Sequence, residues 1–120
     1  MLDQSRRLLA AGQHARAVEA ARRAVSQWPQ DADAAKLLAD LLSMAGGSGV
    51  EQATFYYEKA ARLAPANASI RCNFGWHLAG RGEWTRAVAE LEEAIRLSPE
   101  HRGAHGNLVL VLSDSGDSAR

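Results

Sequence analysis

Ile70 to Pro99, IRCNFGWHLAGRGEWTRAVAELEEAIRLSP, holds two amphipathic halves separated by Arg81-Gly82-Glu83. In the first half Phe74, Gly75 and Leu78 stand three or four residues apart and share one helical face. In the second, Trp84, Ala87, Val88, Leu91, Ala94, Ile95 and Leu97 form another apolar stripe, and Pro99 ends it. Neither helix buries its stripe alone, so the stretch predicts a helical hairpin. Gly75, Ala87 and Ala94 are small enough to let two backbones approach. Phe74, Leu78, Trp84 and Leu91 are expected to fill the space between them.

The hairpin recurs along the chain. Leu8 to Pro29 lies over Leu78 to Pro99 without a gap, with Gly12 on Gly82, Ala17-Val18 on Ala87-Val88 and Ala24-Val25 on Ala94-Ile95. A middle copy, Leu38 to Pro65, puts Ala53, Tyr57, Ala60, Leu63 and Pro65 in the places of Ala87, Leu91, Ala94, Leu97 and Pro99. The closing prolines are Pro29, Pro65 and Pro99, so the first interval is longer than the second by two. The two extra residues are assigned to a lengthened turn, Gly46-Gly47-Ser48-Gly49. That glycine run lacks the preceding strand and following Lys-Ser/Thr of a phosphate loop. A period of this length marks a solenoid in which each unit covers its neighbour.

This pattern resembles the tetratricopeptide repeat family: a period of about 34 residues, a large-small pair in the first helix, alanines in the second and a closing proline. Phe74-Gly75, Ala87, Leu91, Ala94 and Pro99 carry the resemblance. Arg71 stands where the family usually has Trp, and Leu78 where it has Tyr. The resemblance implies an all-α fold, a right-handed α-α superhelix of antiparallel hairpins. About seven helices are expected, near 2–11, 14–27, 31–45, 50–63, 67–80, 84–97 and 101–113. They form one domain over 1–120, with repeats at about 1–31, 32–67 and 68–101 and a partial one at 102–120. Ser115-Gly116-Asp117 falls in register with Arg81-Gly82-Glu83 and is expected to be the next turn. The missing second helix of that repeat suggests an excerpt of a longer array or a chain ending on a lone helix.

Composition narrows the function. Fourteen basic and fourteen acidic side chains cancel, so no global field draws the chain to nucleic acid or membrane. No apolar run approaches a membrane span, and no signal-peptide core opens the chain, so a soluble protein is expected; the sequence leaves its compartment open, with the cytoplasm favoured. The single cysteine, Cys72, forms no internal disulfide. His101 and His105 stand four apart but lack a completing ligand, and Cys72 with His77 is off-face for a nucleophile and base. No catalytic, cofactor or metal site is expected. Of Phe55, Tyr56 and Tyr57, at least one ring must point away from the core.

The family resemblance implies that first helices line a concave surface. In register, that row is Asp33, Lys36, Leu37, Asp40 and Met44 in repeat two, and Ser69, Cys72, Asn73, Trp76 and Gly80 in repeat three. In repeat four it is Gly103, Gly106, Asn107 and Leu110. The candidate peptide-binding residues are Lys36, Asp40, Met44, Cys72, Asn73, Trp76 and Asn107. Asn73 and Asn107 share a register that, in O-linked N-acetylglucosamine transferase arrays, holds a peptide backbone; an amide donates and accepts without reading side chains. Leu37 occupies the third rung. The family's carboxylate clamp for chaperone tails matches at Lys36 and Asn73, but Asp40, Gly103 and Asn107 stand at its other places, and Asp40 repels a carboxylate. The expected function is a non-enzymatic interaction scaffold taking a peptide or protein in its groove. The alternative is the substrate-positioning region of a larger enzyme such as a glycosyltransferase. Leu108 and Leu112, with no covering helix, make self-pairing through the terminal helices an expected third mode.

Overall fold

The computed structural model describes residues 13–118, with side chains through residue 115. Six helices follow one another: α1 His14–Gln27, α2 Ala32–Ala45, α3 Gly49–Leu63, α4 Ala68–Gly80, α5 Trp84–Leu97 and α6 Arg102–Ser118. No strand occurs among the described residues, so the fold is all-α. The helix expected over 2–11 lies outside them. The chain divides after Pro65 into two compact units, one carrying α1 to α3 and the other α4 to α6.

Each repeat ends its second helix by the same local device. Trp28, Ala64 and Ser98 precede the three prolines, and a residue before proline is pushed out of the helical region. Their φ/ψ values, −127/73, −137/73 and −143/88, are nearly superimposable. Each still donates its backbone N–H to the carbonyl four residues back, Ala24, Ala60 or Ala94. The next helix then starts on a side-chain cap. Asp31 accepts from the N–H groups of Asp33 and Ala34 at 2.9 and 3.3 Å, and Asn67 from that of Ile70 at 3.0 Å. Such caps satisfy otherwise orphaned donors of the first turn.

The turn within repeat two differs from expectation. Gly46 and Gly47 both adopt left-handed φ, 69° and 58°, and reverse the chain so tightly that α3 already begins at Gly49. Only residues 46–48 separate the helices, as only 81–83 do in repeat three, where Gly82 has φ 79°. The extra residues are absorbed into the helices: α2 and α3 have 14 and 15 residues, α4 and α5 have 13 and 14. Continuing a helix adds a backbone hydrogen bond for each residue fixed, which a longer loop does not.

In the first unit α2 packs against both α1 and α3. Ala17, Ala21 and Ala24 of α1, Leu38, Leu41 and Leu42 of α2, and Ala53, Tyr57 and Ala60 of α3 are buried. The aromatic run divides as helical geometry requires: Tyr57 is buried, Tyr56 intermediate, and Phe55 exposed with its ring edge-on to Tyr56 at 5.0 Å. A buried phenol needs a partner for its hydroxyl, and Tyr57 donates to Asp40 Oδ1.

In the second unit α4 and α5 form the hairpin, and α6 packs on both. Phe74, Leu78 and Leu91 fill the seam. Trp84, expected with them, is only partly buried. The reason Gly75 is glycine is visible: a Cβ there would stand 2.7 Å from Leu91 Cγ and 3.1 Å from the Ala87 carbonyl oxygen. Arg71, in the family's Trp place, donates to Glu90 across the seam at 2.9 Å, and Arg86 lies 5.0 Å from the centre of the Phe74 ring. An ion pair near the surface contributes ~0–1 kcal/mol, whereas each large apolar side chain buried contributes about 1.5–3 kcal/mol. The hairpin is therefore held by its apolar seam.

The last helix is longer than expected. α6 runs through Ser115-Gly116-Asp117 to Ser118, so the turn assigned there is helical. Glycine permits a reversal without imposing it. At Gly82 the reversal is enforced by α5 docking back on α4, and no helix follows α6 among the described residues. Ala104 and Val111 supply the buried contacts of α6. Leu108, expected to be uncovered, is intermediate, while Leu112, Val109 and Leu110 are exposed.

Candidate functional site

The helical rise places Asn73, Trp76 and Gly80 of α4 three and four residues apart, on one face. Trp76 is 48% exposed, far more than a core indole. Asn73 is intermediate. On α6, Gly103, Gly106 and Leu110 are exposed and Asn107 is intermediate.

Cys72 is not on this open face. Its side chain is buried, and the Asn107 amide donates to its sulfur at 3.3 Å. A Cβ on Gly103 would lie 3.6 Å from the same sulfur. The cause is the packing of α6 on α4: Gly103 and Asn107 close over the thiol, so the residue expected to meet a ligand fills a seam between helices. The Asn107 amide is thereby tethered to α4 through one of its donors.

The histidine pair is likewise absorbed into structure. His101 Nδ1 accepts from the backbone N–H of Ala104 at 3.0 Å, capping α6, and its Nε2 lies 3.4 Å from Ser69 Oγ. His105 Nε2 lies 2.7 Å from the Pro99 carbonyl oxygen and donates to it. Among the described residues no group of three or more His, Cys, Asp or Glu side chains is placed to hold a metal. Nor is any helix there long and apolar enough to cross a membrane.

A cavity of about 160 Å³ opens at the end of α4, lined by Trp76, Ala79, Gly80, Trp84, Val111 and Asp114. Val111 is buried, while Trp76 and Asp114 are exposed at the rim. Trp84 and Asp114 were not among the sequence-derived candidates. Asp114 carried a signal, because it shares the repeat register of Gly80 just as Asn107 shares that of Asn73. Trp84 carried a misleading one, because its place in an apolar stripe pointed to the seam.

In the first unit, Lys36, Asp40 and Met44 succeed one another at four-residue spacing on α2. Lys36 Nζ lies 3.1 Å from Asp40 Oδ2, and the other Asp40 oxygen accepts from Tyr57. Asp40 thus anchors a buried phenol and holds Lys36, while Met44 is 65% exposed. On α5 of the second unit, hydrogen bonds from Arg96 hold the Glu93 carboxyl below its ordinary range.

The chain is similar to known helical-repeat proteins along its length. Two family models, each described as tetratricopeptide repeat, match residues 2–41 and 72–120. An O-GlcNAc transferase from Thermobaculum terrenum is 26% identical with a TM-score of 0.85, covering 92% of this chain and 21% of its own. YrrB, described as a TPR protein with an unusual peptide-binding site, is 22% identical with a TM-score of 0.78, covering 85% and 52%. The second TPR domain of human RPAP3, solved in complex with an HSP70 peptide, is 18% identical with a TM-score of 0.81, covering 91% and 89%. This chain therefore spans about a fifth of the transferase and about half of YrrB. With the caps and prolines recurring in register and both halves matching, the chain belongs to the tetratricopeptide repeat family.

Proposed function

We propose that this chain is a protein-interaction module that takes an extended peptide or partner segment on the open faces of its first helices. The observation that carries the reading is Trp76, a large indole left 48% exposed on α4, on the same face as Asn73 and beside a cavity. Exposed aromatic anchors often dominate binding, costing ~2 kcal/mol or more on truncation. Asn73 supplies an amide for the peptide backbone, and Asn107 keeps its carbonyl oxygen and one further N–H beyond the bond to Cys72. Peptide binding by YrrB and by the RPAP3 domain supports this reading. An acidic chaperone tail fits poorly, since Lys36 is already paired with Asp40. The test is Trp76→Ala, with circular dichroism to confirm the helices and affinity measured for a peptide selected against the native chain. Unchanged affinity in a folded variant overturns the reading.

A second reading, the substrate-positioning region of a larger enzyme, is favoured by the likeness to the transferase at 26% identity over 92% of this chain. A nucleotide-sugar catalytic domain in the same gene product would support it, and a native gene product without one would exclude it.

A further inference from the structure

We infer that the cavity between Trp76, Trp84, Val111 and Asp114 is a subsite for a cationic side chain, lysine or arginine, of the bound peptide. This rests on the peptide-binding reading above and adds the chemistry of the residue that anchors there.

Size comes first. At about 160 Å³ the cavity is well below the ~300–1,000 Å³ of pockets that hold drug-sized ligands. It suits one side chain.

Charge comes next. Among the described residues Asp114 is the only ionisable one in the lining, and it forms no ion pair with any of them. The neighbouring turn adds little net field, because Arg81 and Glu83 face each other at 3.6 Å. The C-terminal end of α4, at Ala79 and Gly80, favours a cation, and the N-terminal end of α5, at Trp84, opposes it. These backbone contributions offset, which leaves the carboxylate to set the sign.

The walls agree with that sign. Indole faces carry the negative part of an aromatic quadrupole and attract Lys or Arg more strongly than other rings do. Buried Val111 and Ala79 offer apolar surface to the methylene stem of such a side chain, whose charged head can stay at the wet rim beside Asp114. An acidic side chain there meets a like charge, and a neutral apolar one leaves the carboxylate without a partner.

Gly80 provides an independent handle. It is helical, its φ is ordinary, and a Cβ added to it meets nothing within 4 Å. A side chain can therefore start from this position at the cavity wall, and Gly80→Leu is the variant chosen to fill the cavity; leucine also favours the helix over glycine.

The experiment is a titration of the isotope-labelled chain, followed through its three indole N–H resonances, with Trp28 in the other unit as internal reference. The probes are the capped peptides Gly-Ala-X-Ala-Gly with X arginine, lysine, glutamine or glutamate. Arginine and lysine peptides are expected to shift Trp76 and Trp84 saturably and leave Trp28 in place. Asp114→Asn should weaken that binding about two- to fivefold, and Gly80→Leu should abolish it while helicity is retained. Equal shifts from the glutamine peptide, or full affinity in either variant, overturn the subsite. If the side-chain amides of Asn73 and Asn107 move but the indoles do not, the subsite falls and the peptide-binding reading stands. If no resonance of α4 or α6 responds to any probe, both fall.

Discussion

Two glycines of the second unit offer a comparison in which helix propensity cancels. Gly75 and Gly106 both lie within helices, α4 and α6. Replacing a helical glycine with alanine stabilises by about 0.5–1 kcal/mol where nothing obstructs the new methyl group. At Gly106 nothing lies within 4 Å of it. At Gly75 it would stand 2.7 Å from Leu91 Cγ, 3.1 Å from Leu91 Cδ2 and 3.1 Å from the Ala87 carbonyl oxygen. Leu91 is fully buried, so its branch point has nowhere to move, and the carbonyl belongs to the α5 backbone. Accommodation requires α4 and α5 to separate, an overpacking cost of about 1–3 kcal/mol. The propensity gain is common to both variants, so the gap between them measures the seam alone. Urea titration monitored by far-UV circular dichroism should place Gly106→Ala at or above the unmodified protein and Gly75→Ala below it, separated by about 1–3 kcal/mol. Equal stabilisation by the two substitutions would refute the argument that close backbone approach sets the identity of residue 75.

Other outcomes follow from single contacts. Tyr57→Phe removes the buried hydroxyl that donates to Asp40 and should cost about 1–2 kcal/mol in denaturant titration; no loss would mean that water satisfies Asp40 equally well. The Cys72 thiol, 3% exposed, should resist Ellman's reagent in the native state and react at once in urea, and rapid native labelling would show that α6 does not cover it. Val109, Leu110 and Leu112, at 67, 52 and 52% exposure, predict concentration-dependent self-association. Sedimentation should detect it and Val109→Lys with Leu112→Lys should suppress it, whereas a monomer at high concentration would refute it.

The sequence by itself determined the repeat. Helix starts and stops rest on local chemistry, namely prolines at 29, 65 and 99, caps at Asp31 and Asn67, and left-handed glycines, and local chemistry is written in adjacent residues. For that reason α1 and α5 occur where periodicity placed them, His14–Gln27 and Trp84–Leu97. The exposure of Trp76 was legible too, since Phe74 and Leu78 already claim the seam. What the tertiary structure alone decided concerns residues whose partners are distant in sequence. Cys72 occupies a position that register assigns to the groove, yet α6, from the following repeat, covers it. Asp40 was read as a charge in a groove, but Tyr57 and Lys36 make it a buried-phenol acceptor and one half of an ion pair. Trp84 belongs to an apolar stripe by spacing, yet it lines a cavity whose other wall, Val111 and Asp114, comes from α6. Periodicity specifies which face of a helix is apolar. Which neighbour covers each part of that face depends on three helices meeting, and no local pattern encodes that meeting.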